Sequence, residues 1–375
     1  MYFRLLPEVY LTIGKSKSLL QNILEKKSLW IKNDLAQLLI KSESNRPILK
    51  EDVATFKILA EKNWGILSEN PIFIDKLRLT NVFNNKRFFK QNPIIQFATL
   101  KITDECNLDC EYCNSRFCPM CFHSGISKTS YLSLEQWKII ILKLHRFGCK
   151  NIILSGGEAF LYPQINELCQ FMLNLDVTPT IYTNGKIKVN LNDNVHIIIS
   201  INDIKNIHSI IDNYRDKKNV VLLSSFNLED KIKKIIPSSW KYSKFSLNEP
   251  KMTKNNLFNP NIFMYFAQRD NNRCLNNKIA ILENGDVYPC FGAYVSGLER
   301  IGCTDTNNSN DFYIGNTQQD DWIDIVKGLS ENFWNNKIDD DPKCNNCEFR
   351  YSCNICLFND TSKNCCYDKE DATWK

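Results

Sequence analysis

Three cysteines within eight residues constrain this chain more than any other feature. They stand in the run Cys106-Asn107-Leu108-Asp109-Cys110-Glu111-Tyr112-Cys113, directly after the strand-like segment Ile94 to Ile102. The spacing CxxxCxxC offers three thiolates, one fewer than a four-iron cluster takes, so one iron stays open to bind and activate a small molecule. Zinc sites use paired CxxC or Cys/His spacing, and this chain has only 4 His.

A chain of 375 residues with 43% hydrophobic content has room for two or three domains with true cores. Net charge is a mild +5, and the Lys and Arg residues are scattered rather than striped, which gives nucleic acid nothing to bind. The first residues show no basic-plus-apolar signal and no apolar run reaches membrane-spanning length, so the expected setting is the cytoplasm, without a membrane partner. Sixteen cysteines in a reducing compartment suggest metal ligation rather than disulfides. Most gather at 106 to 121 and 274 to 366; Cys149 and Cys169 fall in helical patterns, as buried small hydrophobes.

From about Gln91 to Pro250, short β-rich runs alternate with helical patterns, the signature of a parallel sheet built from βα units. Ser133 and Gln136 form a capping-box pattern; Trp137, Ile140, Ile141 and Leu144 then share one face, and Gly148 can end the helix. Strands are expected at Asn151 to Leu154, Thr180 to Thr183, Val195 to Ile201, Val220 to Leu223 and Tyr242 to Leu247, which with the first makes six. The second runs into Ser155-Gly156-Gly157-Glu158, where the glycines let backbone approach a ligand and the carboxylate can accept from an ammonium group. Thr183-Asn184-Gly185 ends the third, and Ser200 and Asn202 close the fourth.

With Tyr112 before its third cysteine, the run resembles the signature of the radical S-adenosylmethionine (SAM) enzymes. The resemblance implies a partial (β/α)6 barrel over residues 90–250, an α/β fold with its chemistry at the C-terminal strand ends. It implies that Cys106, Cys110 and Cys113 hold a [4Fe-4S] cluster whose open iron chelates SAM. Cleavage of SAM then gives a 5′-deoxyadenosyl radical. The implied SAM contacts are Tyr112, Gly156, Gly157 and Glu158, then Thr183 and Asn184, with Ser200 and Asn202 toward the ribose. An adenine motif is not legible in Ser224-Ser225-Phe226.

A second cysteine pattern follows. Cys274, ten residues, Gly285, four residues and Cys290 precede Cys344, Cys347, Cys353 and Cys356, and then the adjacent Cys365 and Cys366. This resembles the SPASM extension, which carries auxiliary clusters in radical SAM enzymes that modify peptides, and it places such a domain at 251–375. Carried over by position, Cys344, Cys347, Cys353 and one of Cys365 or Cys366 (Cys366 in the expected set) hold the distal cluster. Cys274, Cys290 and Cys356 hold the proximal one, its fourth position open or capped by Cys303. That makes three [4Fe-4S] clusters. A zinc ribbon is the competing reading of the tail. The extra pair Cys118 and Cys121 could touch the active site, act as a redox pair or belong to a turn.

Residues 1–85 begin with alternating runs at Met1 to Leu6, Val9 to Ile13 and Lys17 to Leu20, with a further strand near Leu29 to Ile31. Helical spacing follows at Leu35, Leu38 and Leu39 and at Val53, Phe56, Leu59 and Ala60. Strands followed by helices resemble the small winged-helix element of peptide natural-product enzymes, which adds a leader peptide to a sheet edge. A structural cap is the alternative.

Taken together, these resemblances imply a radical SAM peptide maturase acting on a ribosomally made precursor with a leader. The reaction is a net two-electron oxidation, closing a thioether or carbon-carbon crosslink, with flavodoxin or ferredoxin as electron donor. The rivals are a formylglycine-forming sulfatase maturase, a small-molecule dehydrogenase and a non-catalytic peptide-binding partner. Sulfatase maturases carry an aspartate just after the second SPASM cysteine, where this chain has Phe291.

Overall fold

Apolar residues at alternate positions open the chain, and the computed structural model turns them into strands. It describes residues 1–77, 94–110, 113, 120–123, 131–201, 203–224, 228, 230–244, 258, 265–266, 268–269, 277–301, 312–342 and 344–353. The chain falls into two units: Met1–Phe88 with Lys251–Cys274 and Asn335–Lys375, and Phe89–Pro250 with Leu275–Trp334.

In the first unit, β1 (Tyr2–Leu5), β2 (Val9–Ile13), β3 (Lys17–Asn22) and β4 (Lys27–Lys32) precede α1 (Asn33–Glu43), α2 (Val53–Glu61) and β5 (Gly65–Ser68). The expected order of strands then helices is present, but β1 leaves its neighbours and pairs antiparallel with β5, while β2, β3 and β4 form their own antiparallel sheet. Gly65 makes that pairing possible, since a Cβ there would collide with the Phe3 ring. Phe3, Leu20, Leu39, Phe56 and Leu59 share the core between these layers.

The first tail cysteines belong to the same unit. Lys15 N donates to Asn346 O at 2.9 Å and Arg350 Nη1 to Ile13 O at 2.8 Å. Leu19, Cys347 and Phe349 form one buried cluster, with the Trp30 and Phe349 rings 5.1 Å apart.

The second unit contains the six expected parallel strands: β6 (Phe97–Thr103), β7 (Asn151–Gly156), β8 (Thr178–Thr183), β9 (His196–Ile201), β10 (Val220–Ser224) and β11 (Lys241–Lys244). They are neighbours in chain order, joined through α3 (Leu134–Arg146), α4 (Ile165–Asn174), α5 (Ile207–Tyr214) and α6 (Asp230–Ile235). The capping box on α3 is formed in both directions, Ser133 N donating to Gln136 Oε1 at 2.8 Å and Gln136 N to Ser133 Oγ at 3.4 Å. Such a cap is worth about 1 kcal/mol. Gly148, at φ +85°, follows the helix end as expected.

Strands from beyond residue 250 extend this sheet on its β6 side. β12 (Lys278–Ile281) runs parallel to β6, with Ile281 opposite Leu100; β13 (Asp286–Tyr288) and β14 (Gly315–Asn316) continue it antiparallel. α7 (Phe291–Ile301) and α8 (Trp322–Leu329) complete the unit. Among the described residues, no helix is long and apolar enough to cross a membrane.

Candidate cofactor site

The C-terminal ends of β6, β7 and β8 converge on one carboxylate. Alternation on β6 sends Ala98, Leu100 and Ile102 into the main core, and the chain leaves the strand at Asp104 to enter the cysteine run. β7 ends at Gly156, where a Cβ would stand 2.5 Å from Thr103 O, and a Cβ on Gly157 would stand 2.7 Å from Asp104 O. The two strand ends therefore touch backbone to backbone. Gly157 N donates to Thr103 O at 3.1 Å and Glu158 N to Glu105 O at 2.8 Å, which ties the stem of the cysteine run to the glycine turn.

Glu158 is 1% exposed. Its Oε1 accepts from Thr183 Oγ1 at 2.7 Å and Phe160 N at 3.1 Å, and its Oε2 accepts from Asn184 N at 2.8 Å. A carboxylate has about four lone-pair sites, so among the described residues one remains for a further donor such as an ammonium. Burial pushes this carboxyl above the usual range, against the pull of those three hydrogen bonds.

That shift has a thermodynamic sign. An acid whose folded value is raised contributes stability that is full below its unfolded value and is lost as pH rises through the folded value. Thermal melts of the cofactor-free protein should therefore show wild type losing ground to Glu158→Gln as pH climbs above about 4.3. Parallel melting curves for the two proteins across that range would contradict the shift.

Thr183 and Asn184, expected as SAM contacts, stand against Glu158. Asn184 has a second partner that the sequence reading missed: its Nδ2 donates at 2.7 Å to Oδ1 of Asn107, inside the cysteine run. Ser200 is buried at the end of β9. Tyr112 and Asn202 lie outside the described residues.

Cys106, Cys110 and Cys113 are part-exposed. Burial pushes the Cys106 thiol up, a hydrogen bond with the Leu108 backbone pulls the other way, and the charges of Glu158, Cys110 and Cys113 add to the rise. Three thiols and a carboxylate that repel one another as anions are the donor set a cationic cluster iron would relieve, so these residues fit such a group. As the side chains stand, no group of three or more His, Cys, Asp or Glu is gathered for a metal ion among the described residues.

Of the tail cysteines, Cys290 lies in the second unit, and Cys344, Cys347 and Cys353 in the first; Cys347 is buried and the other three are part-exposed. Cys274, Cys356, Cys365, Cys366, Cys303 and Cys118 lie outside the described residues. Cys121 is part-exposed. Cys149 and Cys169 are buried, and burial pushes each thiol up to about 12, in keeping with their expected role as small hydrophobes.

Comparison with known proteins agrees with this geometry. Residues 100–244 match the radical SAM superfamily, and residues 273–348 match SPASM, an iron-sulfur cluster-binding domain. The sporulation killing factor maturation protein SkfB of Bacillus subtilis (strain 168) is 32% identical over 121 residues, 30% of this chain and 27% of the relative. A SAM-dependent nucleotide dehydratase of a Thermoplasmatales archaeon (strain ISO4-H5) is 28% identical over 90 residues, 24% of this chain and 29% of the relative. The matched stretch thus spans under a third of either relative. The crystal structure of Streptococcus suis SuiB bound to precursor peptide SuiA superposes with a TM-score of 0.44 at 15% identity, covering 95% of this chain and 96% of that one.

Proposed function

The chain carries a radical SAM domain followed by a SPASM domain, and on that premise we propose that it is a cytoplasmic, SAM-dependent maturase of a ribosomally made precursor peptide. The observation that carries the reading is the buried Glu158 carboxylate, held by Thr183 and Asn184 within electrostatic reach of Cys106, whose neighbours in the run include Cys110 and Cys113. When bound there, a [4Fe-4S] cluster with SAM supplies a 5′-deoxyadenosyl radical, which removes a hydrogen atom from carbon.

The chain's own residues would do the holding. Cys106, Cys110 and Cys113 would ligate three irons, and Gly156 and Gly157 let the Thr103–Glu105 backbone close against the turn and so hold the stem of the cysteine run. Glu158 takes the SAM ammonium on its remaining lone pair, Asn184 steadies the cysteine run through Asn107, and Tyr112, Ser200 and Asn202 complete the SAM contacts. Cys344, Cys347, Cys353 and Cys366 hold a distal auxiliary cluster, and Cys274, Cys290 and Cys356 a proximal one. Closing a thioether or carbon-carbon crosslink would take two electrons and two protons from the peptide: one of each would leave as the hydrogen atom passed to 5′-deoxyadenosine, the second electron would pass to an auxiliary cluster and the second proton to solvent, and a flavodoxin or ferredoxin would supply the electron that cleaves SAM.

A peptide substrate is favoured by the SPASM domain and by the relative named for maturation of a killing factor. It also suits the N-terminal sheet: β2 and β4 are its outer strands, and among the described residues neither pairs with a second strand. An extended leader could add to such an edge. The formylglycine reading is not adopted, because Phe291, where those enzymes place an aspartate, is a buried ring 5.1 Å from Phe122 and has no proton to take or give.

Dithionite-reduced protein should release 5′-deoxyadenosine from SAM, and failure to do so would end this reading. Anaerobic reconstitution should give about twelve irons per chain for three four-iron clusters. About four irons with zinc in the tail would remove the auxiliary clusters from the proposal. A labelled leader should bind the full chain at about micromolar affinity, near −8 kcal/mol, as measured by fluorescence polarisation. No polarisation change up to about 100 μM would place recognition elsewhere than the sheet edge.

A further inference from the structure

Lys101 is 1% exposed on β6, the strand that leads into the cysteine run. Because Ala98, Leu100 and Ile102 face the main core, alternation turns Lys101 to the opposite face of the sheet. There its ammonium donates to the Asp104 carboxylate and, at 2.9 Å, to Glu283, whose side chains are 9% and 0% exposed. It also lies 4.8 Å from the centre of the Phe122 ring.

These partners bracket the cysteines. Asp104 stands two residues before Cys106, and Phe122 one residue after Cys121. Phe122 N donates to Gly156 O at 3.2 Å, and its ring packs in a cluster with Phe291 and Tyr294 against which Cys113 also rests. One ammonium therefore meets both ends of the stretch that carries Cys106, Cys110 and Cys113. Glu283 follows β12, in the same unit as Lys101 and within the stretch that matches SPASM.

Stability alone gives little reason for such a group. A buried ion pair is commonly no more stabilising than apolar side chains of the same volume, whereas it does fix directions that apolar contacts leave free. We propose that Lys101, with Glu283, is a positioning residue: it clamps Asp104 and Phe122 so that the cysteine run is held against the Gly156-Gly157 turn, and it links that geometry to the SPASM segment. This rests on the reading of Cys106, Cys110 and Cys113 as the SAM-cluster loop. The clamp itself is a property of the cofactor-free chain and can be measured there.

The test is hydrogen exchange by mass spectrometry on the full chain, in peptides covering 103–110 and 156–158, whose contacts include the Gly157 and Glu158 amide bonds. Lys101→Met should speed exchange there about tenfold while peptides in β8 and α4 are unchanged, the signature of local rather than global opening. Lys101→Arg should restore most of the protection, and in the loaded enzyme Lys101→Met should raise KM for SAM while tail iron is kept. Wild-type exchange at these peptides in Lys101→Met would overturn the proposal. Should that variant not fold, Glu283→Gln, which keeps shape and removes charge, decides the matter by the same readout. If wild type itself failed to cleave SAM, the functional reading would fall, and the exchange data would still decide the clamp.

Discussion

Replacing Cys106, Cys110 and Cys113 together by alanine should abolish release of 5′-deoxyadenosine while leaving tail-bound iron in place. All three thiols sit on one short run at the end of β6. Removing them takes away the proposed ligands of the SAM-activating cluster, so the expected loss exceeds about a thousandfold, roughly 4 kcal/mol in transition-state terms. The fold should survive, because the three are part-exposed and substitution of such side chains usually changes stability by about 0.5 kcal/mol or less. Cys344, Cys347 and Cys353 lie in the other unit, so their iron content reports independently. A reduced triple variant that released 5′-deoxyadenosine at the wild-type rate would refute the radical mechanism.

The elements that position this site were legible because their signals are local. Six β-rich runs separated by helical periods become six parallel strands in chain order, and the Ser133/Gln136 box caps the helix it was expected to cap. Gly156-Gly157-Glu158 read as a turn that lets backbone approach a ligand, whereas the atoms that lie against the two glycines are the backbone of Thr103, Asp104 and Glu105. What stayed hidden depends on pairing between distant segments. Strand parity alone puts Lys101 on one face, but nothing near it announces that β12 will deliver Glu283 from 182 residues away. Asn184 looked like a SAM contact; its bond to Asn107 exists only once β6 and β8 end at the same edge of the sheet, on either side of β7. In the same way, β1 carries the alternation of a strand but not the identity of β5 as its partner. The bond from Arg350 to the Ile13 carbonyl likewise joins residues 337 apart.

Gly157→Ala should be nearly as damaging as loss of the thiols, for a reason that is purely steric. The added Cβ would stand 2.7 Å from Asp104 O and 2.8 Å from the Glu105 carbonyl carbon, with the Glu105 oxygen nearer still. Every one of those atoms is backbone, so no rotamer change can clear them. The segment from Asp104 to Glu105 must move, which breaks or lengthens the bonds from Gly157 N to Thr103 O and from Glu158 N to Glu105 O. Overpacking of this kind costs about 1–3 kcal/mol of stability. The greater effect is on function: the displaced segment leads straight into Cys106, and a misplacement of about 1 Å at a reacting centre can cost about a hundredfold in rate. Gly328→Ala is the control. It lies within α8, where the nearest atom to an added Cβ is a side-chain methyl of Ile314 at 3.4 Å, so alanine should stabilise by about 0.4–1 kcal/mol and leave SAM cleavage unchanged. Thermal melts and 5′-deoxyadenosine release on both variants check the pair. Wild-type SAM cleavage by Gly157→Ala would mean that the close contact between the glycine turn and the cysteine stem is not what holds the site.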